Sequence, residues 1–312
     1  YDSINDLIYF IGTDTENGCI TLVFGFYNIS SNTSTNLNNT DVNNWINNSI
    51  NVSNTKADGS CVGGLTLRDL EYDIDHDVVF IGGSMNNNSL LGMYNLSSNK
   101  TLNVSYSSIF TESRSGISDL AYDTSNKILY FVGRGGTNPT GLNIFGFYNI
   151  SSNQTVNLNN TDVNNWMDNT RLSIITFYPK NNTIYIGGEN GPSNATIFGN
   201  YNLSSNQSLL LNNVSPSFSS SIDSIVFDTE RDLIYVGGIN SGSGRWIYYN
   251  ISSNTTTPIN THIGHVKDLA FDSYNGILYI SGLQANYNQY IVPALPRSCN
   301  YLDGSTSCNI TW

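Results

Sequence analysis

One motif recurs six times along the chain, and it leaves few architectures open. The copies read YDSINDLIYFIG from Tyr1, YDIDHDVVFIGG from Tyr72, YDTSNKILYFVG from Tyr122, FYPKNNTIYIGG from Phe177, FDTERDLIYVGG from Phe227 and FDSYNGILYISG from Phe271. Each runs from an aromatic residue through a short polar turn into an apolar stretch that ends on glycine. The apolar stretches alternate or are short and β-branched, which predicts strands; no window sustains a helical period. The repeat length is about 50 residues, which matches a four-stranded β-propeller blade. The expected fold is therefore all-β: a single propeller domain over residues 1–312, most simply of six blades. The approximate blade spans are 1–60, 61–110, 111–170, 171–215, 216–260 and 261–312.

A second element follows five of the six copies. It reads Tyr-Asn-Ile/Leu-Ser-Ser-Asn and begins at Tyr27, Tyr94, Tyr148, Tyr201 and Tyr249; the sixth copy has only Tyr290-Ile291-Val292. The third repeat shows the expected layout. Ile117–Tyr122 forms the inner strand, Asp123–Asn126 a turn, Ile128–Val132 the second strand, Ile144–Ile150 the third and Thr155–Leu158 the outer one. A near-verbatim duplication also links FGFYNISSNTSTNLNNTDVNNW from Phe24 to FGFYNISSNQTVNLNNTDVNNW from Phe145, making Trp45 and Trp166 equivalent. These tryptophans could stack on sugars; packing is the plainer expectation.

The first repeat starts at the end of an inner strand, so its blade lacks that strand. An open inner edge exposes unpaired backbone groups. Residues 305–312 are one candidate to fill it; a strand from a neighbouring copy is the other. The chain begins at Tyr1 rather than Met, which reads as a processed form or a fragment.

The repeated Asn-rich element creates N-glycosylation sequons. Asn-x-Ser/Thr occurs at Asn28, Asn32, Asn38, Asn47, Asn51, Asn87, Asn95, Asn99, Asn103, Asn149, Asn153, Asn159, Asn181, Asn194, Asn202, Asn206, Asn213, Asn250, Asn254 and Asn309. Five pairs four residues apart fall at the predicted turn into the outer strand: Asn28/Asn32, Asn95/Asn99, Asn149/Asn153, Asn202/Asn206 and Asn250/Asn254. Glycans need exposed sites of this kind. Bare Asx and Ser turns are the competing reading. Only 12% of residues are charged, about half the usual share, so a covalent sugar coat would account for solubility. No other cofactor is expected.

Four cysteines, Cys19, Cys61, Cys299 and Cys308, form no CxxC pair. In an extracellular setting an even count reads as disulfides. Of the three pairings, Cys19–Cys61 with Cys299–Cys308 keeps each bridge local. A net charge of -12 with scattered basic residues argues against nucleic acid. No apolar run reaches the roughly 18 residues of a membrane span.

Catalytic and metal signatures were sought. Asp73-Ile74-Asp75-His76-Asp77 resembles the opening of a calcium loop but lacks its sixth-position glycine and twelfth-position glutamate. A solvated turn is expected there, and at Asp14/Glu16 and Asp228/Glu230/Asp232. His262 and His265 lack a third ligand for a metal. No nucleophile elbow, zinc-protease helix or phosphate loop occurs. The expected protein is not an enzyme, although a carboxylate pair of the glycosidase type carries no local signature.

The unit FDTERDLIYVGG resembles repeats of YVTN, NHL and kelch-type propellers. That resemblance implies an extracellular or cell-surface glycoprotein of the kind that builds archaeal and bacterial surface layers. The dense sequons and the incomplete first blade add the expectation of self-association into a layer or filament. A carbohydrate- or protein-binding secreted propeller is the second reading, and a propeller lyase or glycosidase the third.

Overall fold

The computed structural model describes residues 5–16, 19–37, 65–85, 88–98, 100–104, 116–135, 143–158, 166–167, 170–190, 195–211, 218, 221–240, 243–260, 265–272 and 276–283. Among them the structure is antiparallel β-sheet with one 3-10 turn over Pro179–Asn181. No helix among the described residues is long and apolar enough to cross a membrane. The chain divides into two compact units, Tyr1–Phe177 and Tyr178–Trp312.

In the first unit, β1 (Leu7–Glu16), β2 (Cys19–Asn28) and β3 (Thr33–Asn36) form a three-stranded sheet. Two four-stranded meanders follow. One is β4 (Leu65–Asp73), β5 (Val78–Met85), β6 (Asn88–Asn95) and β7 (Lys100–Asn103). The other is β8 (Gly116–Asp123), β9 (Ile128–Arg134), β10 (Asn143–Asn149) and β11 (Gln154–Asn157). β12 (Thr170–Tyr178) leads the sheet containing β13 (Thr183–Asn190), β14 (Thr196–Asn202) and β15 (Gln207–Leu210). The second unit continues with β16 (Ser221–Asp228), β17 (Leu233–Asn240), β18 (Ser243–Asn250) and β19 (Thr255–Asn260), then the pair β20 (His265–Asp272) and β21 (Ile277–Leu283). The third repeat thus has the four strands and the turn that its sequence predicts.

The apolar runs follow from face-to-face packing. Side chains alternate along a strand, and in β5 both faces are covered. Val79 and Ile81 join a cluster with Phe24, Leu37 and Leu67 on the side of the first sheet. Val78 and Phe80 join Ile117, Leu120 and Phe131 on the side of the third. A strand covered on both faces reads as continuous apolar sequence rather than alternation. Each such side chain contributes roughly 1.5–3 kcal/mol when fully buried. In the second unit, Leu233, Tyr235 and Trp246 pack on Val266, Leu269 and Leu278 in the same manner.

The motif's glycines have two separate packing duties. The strand register slips by one residue at Arg68 in β4, Ser118 in β8, Asp223 in β16 and Lys267 in β20. Opposite the β8 bulge stands Gly133, where a Cβ would press on the Gly116 carbonyl. Gly82 serves a different contact: a Cβ there would meet Ile117 and Leu120 of the next sheet. Backbone cannot yield as a flexible side chain does. Gly133→Ala is expected to lower stability by about 1–3 kcal/mol, measured as a shifted midpoint in urea unfolding; an unchanged midpoint would contradict the close approach.

Candidate functional site

Two tight turns close one end of each of the first five repeats, and the first of them recurs in the sixth. The first links the inner strand to the second and ends on a left-handed residue: Asp6, Asp77, Lys127, Asn182 and Asp232 have φ between 54° and 61°, and Gly276 has 66°. The second turn leads into the outer strand and carries the paired sequons. Its left-handed residue is Asn32, Asn153, Asn206 or Asn254. Asn and Asp tolerate this conformation better than most residues.

The second turn uses almost every conserved-looking letter of Tyr-Asn-x-Ser-Ser-Asn. The first Asn accepts, through Oδ1, the N–H three residues on. The distances are 2.8 Å for Asn28 and Asn95 and 2.9 Å for Asn149 and Asn250. Asn202 does the same toward Ser205 at 2.9 Å. The tyrosine hydroxyl donates to Oδ1 of the left-handed Asn: Tyr27 to Asn32 at 2.6 Å, Tyr148 to Asn153 at 2.9 Å and Tyr249 to Asn254 at 3.0 Å, with Tyr201 bonded likewise to Asn206. The two turns are also tied to each other. Ile29, Leu96, Ile150, Leu203 and Ile251 donate their N–H to the carbonyls of Asp6, Asp77, Lys127, Asn182 and Asp232 at 2.9–3.0 Å.

Of the other sequons, Asn181 lies exposed on the 3-10 turn, and Asn103 is a residue of β7. Asn38, Asn47, Asn51, Asn87, Asn99, Asn159, Asn194, Asn213 and Asn309 lie outside the described residues. Cys19 is in β2; Cys61, Cys299 and Cys308 lie outside, as do Trp45, His262 and residues 290–292 and 305–312.

The expectation of solvated acidic turns needs correction. Asp73, Asp123 and Asp228 are each only 1% exposed, because the turn N–H groups need a buried acceptor. Asp123 accepts from Ser125 N–H at 3.0 Å, Asn126 N–H at 3.1 Å and Asn126 Nδ2 at 2.7 Å. Asp228 holds Glu230 and Arg231 N–H at 3.1 Å and the Arg231 guanidinium at 3.1 Å. Asp73 takes Asp75 N–H at 3.1 Å, the Tyr122 hydroxyl of the next sheet at 2.7 Å, and lies 2.6 Å from His76 Nδ1. Asp75 is exposed; its bond to the Lys127 ammonium holds its carboxyl below the ordinary range.

A second group of carboxyls was not anticipated. Asp69 on β4 and Asp119 on β8 occupy the same place, just after the bulge. Asp69 Oδ2 accepts Leu120 N–H at 2.9 Å, and Asp119 Oδ2 accepts Ile175 N–H at 2.7 Å. In the second unit Ser224 occupies this place, and its Oγ accepts Leu269 N–H at 2.9 Å. The Asp69 and Asp119 carboxyls are hydrogen-bonded to each other, and Glu71 stands nearby. All three keep partial solvent contact, yet protein crowds them enough to make ionisation costly. Burial first, and then the Asp69 charge, push Glu71 up to about 8; burial and Asp69 also raise Asp119 well above the ordinary range. His265 pairs with Asp223, with Lys267 Nζ 3.5 Å from the same carboxylate. Among the described residues no three His, Cys, Asp or Glu side chains are grouped to hold a metal.

No protein-family model matches the chain, and no curated protein matches it. Among solved structures it is similar to a chain of the crystal structure of the nidogen/laminin complex. The TM-score is 0.57 over 92% of this chain and 89% of that one, at 10% identity. The fold is of the β-propeller type. The four-stranded meanders described above have the form of its blades, and the acidic turns and the inner-strand carboxyls are sheet-to-sheet and turn-to-strand fastenings. The inner-strand set did leave a signal: Leu67-x-Asp69, Ile117-x-Asp119, Ile222-x-Ser224 and Val266-x-Asp268 share one spacing.

Two outcomes follow for this blade chemistry. Asp123→Ala leaves buried N–H groups without an acceptor and is expected to cost about 1–3 kcal/mol, whereas Asp75→Asn, at an exposed ion pair, should stay within about 1 kcal/mol; urea titration of both variants tests the ranking. Glu71 has its folded pKa raised, so the stability it contributes is complete below about 4.5 and is lost as pH rises through about 8. The melting temperature should therefore fall between pH 5 and pH 9, and Glu71→Gln should flatten that slope. An identical slope in the variant would remove Glu71 from the account.

Proposed function

We propose that this chain is a non-catalytic, extracellular, N-glycosylated propeller that serves as a structural subunit of a cell-surface layer or filament. In this reading the ring has six blades and the first is completed by an added strand. One observation carries it most. Among the described residues β1 pairs with β2 only, whereas the corresponding strands β5, β9 and β17 pair on both sides. On the same sheet Ile8 is 44% exposed, while Val79 and Leu129 at the same place in the next two blades are 1% and 0% exposed. A ten-residue strand whose edge no strand among the described residues pairs is a template for strand addition, and strand addition between copies generates a filament when it does not close. The sequon-bearing turns support an extracellular setting, since their side chains are arranged at the blade surface.

Protein binding is a second reading, supported by the likeness to a chain crystallised within a nidogen/laminin complex. It places recognition on the blade surfaces and needs no self-assembly.

Electron microscopy of the native material separates the two. Ordered layers or filaments are expected. Isolated particles that stay monodisperse at high concentration would overturn the assembly role and leave the binding role standing.

A further inference from the structure

The two asparagines of each repeated pair are not equivalent, and the difference bears on which of them can carry sugar. The first Asn is half-buried at Asn28, Asn95, Asn149, Asn202 and Asn250, whereas the second is exposed at Asn32, Asn153, Asn206 and Asn254. A sequon is read through two groups, the amide and the hydroxyl two residues on. In the first sequon the amide oxygen is committed to the turn in all five copies. Asn Oδ1 caps the turn, and at Asn95 the amide nitrogen also approaches the His76 carbonyl at 3.5 Å. In four of the five blades the sequon hydroxyl is held by the other turn. Ser30 donates to Asp6 at 2.5 Å, Ser97 to Asp77 and Ser252 to Asp232 at 3.4 Å, and Ser204 accepts from Asn182 Nδ2 at 3.1 Å.

The second Asn is held differently. Its left-handed backbone places it at the apex of the turn, and the tyrosine hydroxyl draws its Oδ1 inward. An amide carries its oxygen and nitrogen on opposite sides, so fixing the oxygen against the blade turns the nitrogen away from it. The tyrosine thereby orients the atom to which a sugar would be joined. The same arrangement is repeated in the first, third, fourth and fifth blades.

We infer that the exposed, left-handed asparagines Asn32, Asn153, Asn206 and Asn254 are the N-glycan carriers of the paired sequons, and that Asn28, Asn95, Asn149, Asn202 and Asn250 are turn caps that stay unmodified. The modifying enzyme is then one that acts on the folded blade. This rests on the glycoprotein reading above and narrows it to particular atoms. The step joins the sugar anomeric carbon to Asn Nδ2, expels the sugar's activated leaving group, and releases one Nδ2 proton to solvent.

Glycopeptide mass spectrometry on the native protein tests the partition. Sugar is expected on the second Asn of each pair and not on the first. Equal or greater occupancy of the first Asn would overturn it and would mean that sugar is added before the turns form. Peptides free of sugar at every sequon would overturn the glycoprotein reading itself, which is a distinguishable result. Two variants made in the native host check the assignment without disturbing either asparagine. Thr155→Val removes the Asn153 sequon and should lower the intact mass by one glycan. Ser151→Ala removes the Asn149 sequon and should leave the glycan mass unchanged; loss of a glycan in Ser151→Ala would sink the proposal.

Discussion

The inner strand of a blade is an edge, and the arrangement depends on how that edge is satisfied. β4 and β8 pair with one neighbour each, so their other side presents backbone groups that no strand covers. Burying an N–H without an acceptor costs about 1–3 kcal/mol. The chain meets this with a side chain from the preceding blade: Asp69 reaches Leu120 N–H and Asp119 reaches Ile175 N–H. The bulge makes the reach feasible, because one extra residue re-aims the strand just before the acceptor. Bulge, facing glycine and carboxyl are thus one device, and a change in any of them disturbs the other two.

That device concentrates like charge, which explains the unusual protonation. Asp69, Glu71 and Asp119 come from adjacent inner strands and share a crowded space. Burial and the like charges of this group favour the protonated forms of Asp119 and Glu71, because three carboxylates in that space would repel one another. Ser224 performs the corresponding task in the second unit with a neutral hydroxyl, and its Oγ also donates to Asp268 at 3.0 Å. β12 carries Ile174 at this place, a side chain with no acceptor. The carboxyl is therefore one solution among several, selected by what lies beside it rather than by a chemical task.

Much of this was legible from the order of the residues. Aromatic-Asp, a four-residue turn and an apolar run ending in glycine give the strands of the third blade nearly to the residue, because each letter answers a local need: a cap for the turn, a two-faced strand, a close approach. The sequon-bearing turns were also legible in position. Their internal bonding was not, since Asn-x-Ser looks the same whether its hydroxyl faces an enzyme or is held by Asp6 or Asp77. The burial of Asp73 and Asp228 departs from the expectation of solvated turns for a related reason. Acidic letters in a turn suggest solvent, but turn N–H groups that face inward require a buried acceptor, and only the fold shows which way they face. The inner-strand carboxyls were missed because their partners are more than fifty residues away.

These internal duties alter the meaning of the composition. Charged residues are 12% of the chain, and several of the acidic ones are turned inward: Asp73, Asp123 and Asp228 are buried, and Asp69, Glu71 and Asp119 face one another. Many of the hydroxyls and amides that replace charge are occupied too, as turn caps and ties between turns. The polarity that reaches water is therefore smaller than the count of Asn, Ser and Thr suggests, while Val156 and Leu209 on the outer strands are 38% and 57% exposed. Under the proposed glycoprotein reading, a hydrated covering would lie over these exposed aliphatic side chains. The turn apices, placed at the foot of those outer strands, are where a covering would shield them at the least cost to the blade beneath.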